Sequence, residues 1–135
     1  MRVLGLDSQE LPLQWKARTR ELSSPRVLRC PTDRRPSATT WDGLASTNIS
    51  FFLALGVSDP GPQTRLAGDR NLTTNGVPVA AGLFCLTEPV HLGWSLSEMH
   101  RGRGNSVFAD GSVQARAEWI LAPPADGPAL RFLVP

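Results

Sequence analysis

Two cysteines, two histidines and a single lysine, Lys16, occur in 135 residues, and no apolar run is long. Each scarcity excludes something. Cys30 and Cys85 form no Cys-x-x-Cys pair, which rules out zinc-ribbon and thioredoxin-type chemistry. A disulfide between them would close a loop worth roughly 4 kcal/mol on chain-entropy grounds; two reduced, buried thiols are the equal alternative. A membrane-spanning helix needs about 20 apolar residues. The longest candidates, Phe51 to Val57 and Val77 to Leu86, fall well short, and Pro78 and Gly82 interrupt the second. The opening Met1-Arg2-Val3-Leu4-Gly5-Leu6 reaches Asp7 too soon for a signal peptide. A soluble chain is expected. The near-absence of lysine among 14 basic residues is a compositional bias without mechanistic weight.

What is present suits one folded domain over residues 1–135, with a helical lead-in over 1–24 and a sheet-containing part over 25–135. The chain is 41% hydrophobic and 19% charged, which argues against wholesale disorder. Twelve glycines and twelve prolines favour strands and turns over a helical bundle. A net charge of +2 demands neither a nucleic-acid nor a membrane partner.

Ser8 to Leu22 reads as a helix, with Pro12 in its first turn and Leu11, Trp15 and Leu22 on one stripe. Pro25 to Pro31 predicts an extended segment, and Thr32 to Thr40 a polar loop carrying Arg34 and Arg35. Asn48 to Val57 is the strongest strand, apolar on both sides at its far end. Arg65 to Leu72 reads as the strand returning from it. Asn75-Gly76 marks a tight turn, with further strands over Val77 to Leu86 and Leu92 to Leu96. Asn105 to Arg116 predicts a hairpin about the two-residue turn Asp110-Gly111, with Phe108 opposite Val113 and Val107 opposite Gln114. Ala117 to Ala122 suggests one helical turn, and Ala129 to Val134 a last strand. The sum is α+β: a helix, then a meandering antiparallel sheet.

Signals for nucleophilic catalysis fail. Gly93-Trp94-Ser95-Leu96-Ser97 lacks the final glycine of a nucleophile elbow, and Gly102-Arg103-Gly104 opens a dinucleotide loop that Val107 does not complete. His100 with Asp69 or Asp110 would be the acid–base or metal set of a small metal-dependent hydrolase. Lys16 to Arg35 holds seven basic residues against Glu21 and Asp33. With Trp15 and Trp41 as stacking platforms, that patch would suit single-stranded nucleic acid; the simpler reading is a solvated face and no nucleic-acid partner.

A more specific constellation is His100, nine residues, then Asp110-Gly111. Cys30-Pro31-Thr32-Asp33, the strand Asn48 to Phe52, and Gly68-Asp69-Arg70-Asn71 precede it in order. The set resembles the signature of bacterial prepilin-type proteins, the pilin-like and type II secretion pseudopilin-like families frequent in planctomycetes and verrucomicrobia. The likeness spans roughly residues 15 to 135. It implies a pilin-like fold, an N-terminal helix packed on a meandering antiparallel sheet. It also implies a non-enzymatic subunit or accessory domain of a type II secretion or type IV pilus-like assembly. The partners implied are other pilin-like subunits or secretion-machinery proteins, on the periplasmic or outer side of an inner-membrane anchor. Such proteins begin with a leader and a long apolar helix. Membrane attachment would come only through that helix, which does not precede Met1 here. Read as physics, the signature is a clamp: Gly111 permits the turn, Asp110 accepts backbone hydrogen bonds within it, and His100 reaches back to cap Arg101 to Gly104. No cofactor is expected; for the calcium that some pseudopilin-like domains hold, Asp69, Asn71 and Asp110 would be the oxygen ligands.

Overall fold

The computed structural model describes residues 10–56, 61–123 and 130–135. Two short helices come first, α1 (Glu10–Lys16) and α2 (Thr19–Leu22), and ten strands follow. These are β1 (Phe51–Leu55), β2 (Arg65–Asp69), β3 (Leu72–Thr74), β4 (Val77–Pro78) and β5 (Gly82–Leu86), then β6 (Val90–Trp94), β7 (Gly104–Phe108), β8 (Val113–Arg116), β9 (Glu118–Leu121) and β10 (Leu130–Val134). They form a six-stranded sheet ordered β5-β10-β1-β2-β7-β8 and a four-stranded sheet ordered β4-β3-β6-β9. All pairs are antiparallel.

The expected helix on a single meandering sheet is therefore wrong. Ten strands in two sheets make the architecture, and α1, at seven residues, is the one helix of more than a turn among the described residues. The physical reason is alternation. On β1, Phe52 and Ala54 point toward the second sheet while Leu53 and Leu55 point away, so the large sheet needs cover on both faces. Between the sheets lies a cluster of Phe52, Leu72, Leu92, Trp94, Trp119 and Phe132. Beneath the other face Leu11, Leu28, Ala38, Leu44 and Ile49 pack with Leu133. That layer is mostly irregular chain, with α1 contributing Leu11 and Trp15.

Other expectations change for local reasons. The helix predicted over Ser8 to Leu22 breaks between Lys16 and Thr19, and its first two residues lie outside the described ones. Pro25–Leu28 is a 3-10 turn in place of a strand, with the Ser24 hydroxyl accepting from the Arg26 amide at 3.3 Å. Arg65 to Leu72 is two strands in different sheets, and Asp69-Arg70-Asn71 is the corner where the chain crosses. Val77 to Leu86 divides in the same way into β4 and β5. Ala117 to Ala122 is strand β9, paired with β6 and burying Trp119.

The Asn75-Gly76 turn is as expected, both residues at positive φ (49° and 81°) between β3 and β4. The Asp110-Gly111 hairpin also forms, but its register is shifted by one: Val107 lies opposite Val113, and Ser106 opposite Gln114. Only Gly111 takes a positive φ (85°), and the Phe108 amide donates to the Ser112 carbonyl, giving a three-residue loop with a glycine bulge. One residue of slip moves a side chain to the other face. Phe108 is buried toward the second sheet, and Val107 and Val113 share the opposite face, where Val113 is 63% exposed.

Candidate functional site

The corner between the sheets gathers most of the signature. Asp33 lies in the loop after the 3-10 turn and is 2% exposed. Arg70 grips it with two parallel bonds, Nε to Oδ2 at 2.9 Å and Nη2 to Oδ1 at 3.0 Å. The Ser50 hydroxyl donates to Oδ2 at 2.8 Å, and the Arg35 amide to Oδ1 at 3.1 Å. Burial pushes the Asp33 carboxyl up, but the bonds from Arg70, the Arg35 amide and Ser50 outweigh it and hold it well below the usual carboxylate range. The same Ser50 oxygen accepts from the Cys30 amide at 2.8 Å, which ties the loop to the entry of β1. Arg35 also donates to the Ile49 carbonyl. Arg70 reaches outward to Glu98 at 3.3 Å.

Asp69, the residue before Arg70, is as deeply buried. Its Oδ2 accepts from the Asn105 amide at 2.7 Å and from Asn105 Nδ2 at 3.1 Å. Desolvation dominates here and pushes its carboxyl up; Asn105 and the charge of His100 only offset part of that. His100 Nε2 lies 3.5 Å from Asp69 Oδ2 and 3.4 Å from Cys30 Sγ, and Cys30 Sγ lies 3.2 Å from Thr32 Oγ1. Both contacts of the ring use Nε2, whereas a proton relay through imidazole engages both nitrogens. Asn71 Nδ2 donates to the Met99 carbonyl at 3.1 Å. The backbone at His100, Arg101 and Gly102 is left-handed throughout (φ 59°, 49° and 81°), costly for the first two residues.

His100 therefore does not cap Arg101 to Gly104; its ring turns to Cys30 and Asp69. Asp110 and Gly111 stand apart at the hairpin turn. There Asp110 Oδ1 accepts from the Ser112 amide at 2.8 Å and from its hydroxyl at 2.6 Å, while Oδ2 accepts from Gln63. The calcium trio Asp69, Asn71 and Asp110 is thus split. Among the described residues no group of three or more His, Cys, Asp or Glu side chains is placed to hold a metal ion. Pro31 is exposed, and Gly68 sits in β2 where a Cβ would fall 2.6 Å from the Phe52 ring. Cys30 is buried and Cys85 exposed, and they are not bonded to each other. Within the basic stretch, Arg29 donates to the Asp33 and Arg35 carbonyls, and Trp15 and Trp41 pack on the lower core. They are not free stacking platforms.

Sequence reasoning missed the roles of Ser50, Asn105 and Thr32. All are ordinary polar residues whose importance comes only from what the corner brings near them. Two recesses flank His100. One, about 540 Å³, is lined by Arg34, Arg35, Arg70 and Arg101 with Asp33 and Glu98. The other, about 450 Å³, is walled by Trp15, Val27, Phe51, Val107 and Val113, with Cys30 and Asp69 also lining it. Among the described residues no helix is long and apolar enough to cross a membrane. No protein-family model, no curated protein and no solved structure matches this chain.

Proposed function

We propose that this chain is a non-enzymatic structural or accessory domain of a type II secretion or type IV pilus-like assembly. The carrying observation is that the signature side chains are engaged in holding the fold together. Asp33 receives Arg70, Arg35 and Ser50, Asp69 receives Asn105, and Asp110 receives Ser112. Residues bound in this way supply a shaped surface, and partner recognition falls to what lies outside the clamp. Val77 on the edge strand β4 and Ile120 on the edge strand β9 are 64% and 69% exposed, the kind of surface that a neighbouring subunit covers.

The test is complementation in the host bacterium. Deleting the gene should abolish the secretion or pilus phenotype, and His100→Gln, with wild-type circular dichroism and melting midpoint, should restore it. A deletion without phenotype, or a folded His100→Gln protein that fails to restore function, overturns the reading.

One contact favours a second reading, a small hydrolase using the His100–Asp69 pair as acid and base: the 3.5 Å approach beside an open recess. In that case a folded Asp69→Asn protein would keep partner binding and lose turnover.

A further inference from the structure

We propose that the face around His100 binds a long-chain carboxylate, with its head in the arginine recess and its chain in the apolar groove. This does not rest on the assembly role. His100 is part of both linings, so the two recesses adjoin at its ring, whose side chain is 28% exposed. Their volumes, about 540 and 450 Å³, fall within the range of small-molecule sites.

Their chemistry is opposite. The recess holds four guanidinium groups against two carboxylates, and Asp33 is already committed to Arg70. Arg34 and Arg101 are exposed and have no acidic partner among the described residues. A guanidinium fork suits a carboxylate, and Arg70 holds one in that geometry a few ångströms inside. The groove arises because the irregular layer covers the large sheet only over β1, β10 and β5. Toward β7 and β8 the sheet face is bare, and the shifted hairpin register puts Val107 and Val113 side by side on it. Val27, 52% exposed, and Trp15 form the opposing wall. A groove walled by Trp15, Val27, Phe51, Val107 and Val113, with Arg29 and Asp69 also in its lining, adjoins surplus positive charge at His100 and matches an amphiphile with an anionic head. A neutral lipid would leave the arginines unanswered, and a small anion would leave the groove empty.

Equilibrium dialysis of the full chain against radiolabelled dodecanoate, kept below its micelle concentration, tests this. One saturable site is expected. Val113→Asp and Arg101→Glu should each weaken it about tenfold or more, while Arg103→Glu, outside both linings, leaves it unchanged. Melting midpoints like the wild type's show that the variants are folded. Dodecanol and acetate should each bind at least about tenfold more weakly than dodecanoate. Failure to saturate, dodecanol binding as tightly as dodecanoate, or affinity unmoved by both substitutions overturns the proposal. Tighter binding of dodecyl phosphate overturns the choice of a carboxylate head.

Discussion

The indole of Trp94 lies flat against the Cα of Gly104, so close that a Cβ there would sit 1.9 Å from the ring. The contact locks β6 of the small sheet onto β7 of the large one, and Trp94 Nε1 adds a bond to the Asp69 carbonyl at 3.1 Å. It is a contact that only glycine allows.

Gly104→Ala should therefore cost about 3 kcal/mol, the upper range for overpacking a closed core. Gly111→Ala meets no neighbouring atom and pays only for its positive φ, about 1 kcal/mol. Urea unfolding of the two variants side by side checks the order; equal losses would contradict the packing account.

Removing the Asp33 carboxylate leaves Arg70 and Arg35 without their buried partner. Asp33→Ala should lose about 3 kcal/mol at pH 7, typical of breaking one side of a buried pair. Because folding lowers the pKa of this group from 3.8, its contribution is present above about pH 4 and lost as the pH falls further. Wild-type unfolding free energy should drop through that acid range, and the variant's should drop less.

Asp69 runs the other way. Folding raises its pKa, so its ionised form is the one the fold tolerates poorly, and stability from this group is lost as the pH rises above its unfolded value of 3.8. Asp69→Asn keeps an acceptor for the Asn105 amide without the charge. Relative to wild type it should gain stability from pH 4 to pH 7, read by the difference in denaturation midpoints at each pH.

Thiol labelling separates the cysteines. Iodoacetamide should modify the exposed Cys85 well before the buried Cys30, with Cys30 reacting fully only in denaturant. Peptide mass spectrometry at timed quenches reads the two rates.

Turns were the most legible part of the sequence, because Asn75-Gly76 and Gly111 need backbone shapes that few residues adopt. Strands β1, β7, β8 and β10 followed from their alternation and apolar runs. Sheet membership was not legible. Arg65 to Leu72 reads as one strand because nothing local marks Arg70 as the point where the chain leaves one sheet for the other. The hairpin register depended on a bulge that a two-residue turn motif conceals. At the site, Asp33, Asp69, Arg70 and His100 were each identifiable as signature residues, yet their pairing was not. Cys30 and His100 are separated by 70 positions, and only the fold brings Sγ and Nε2 together. His100 and Asp110, joined in the motif, are assigned to different tasks.

Strand β10 occupies an interior place in the large sheet, between β5 and β1. Strands β1, β2, β7 and β8 pair among themselves, but β5 has no partner in that sheet, and β1 has an open flank, until residues 130–134 are in place between them. Folding is thereby governed by distant pairings and should be slow for the size of the domain. Until β10 is inserted, the open flanks of β1 and β5 can pair with other chains, so a folding intermediate without it is exposed to aggregation.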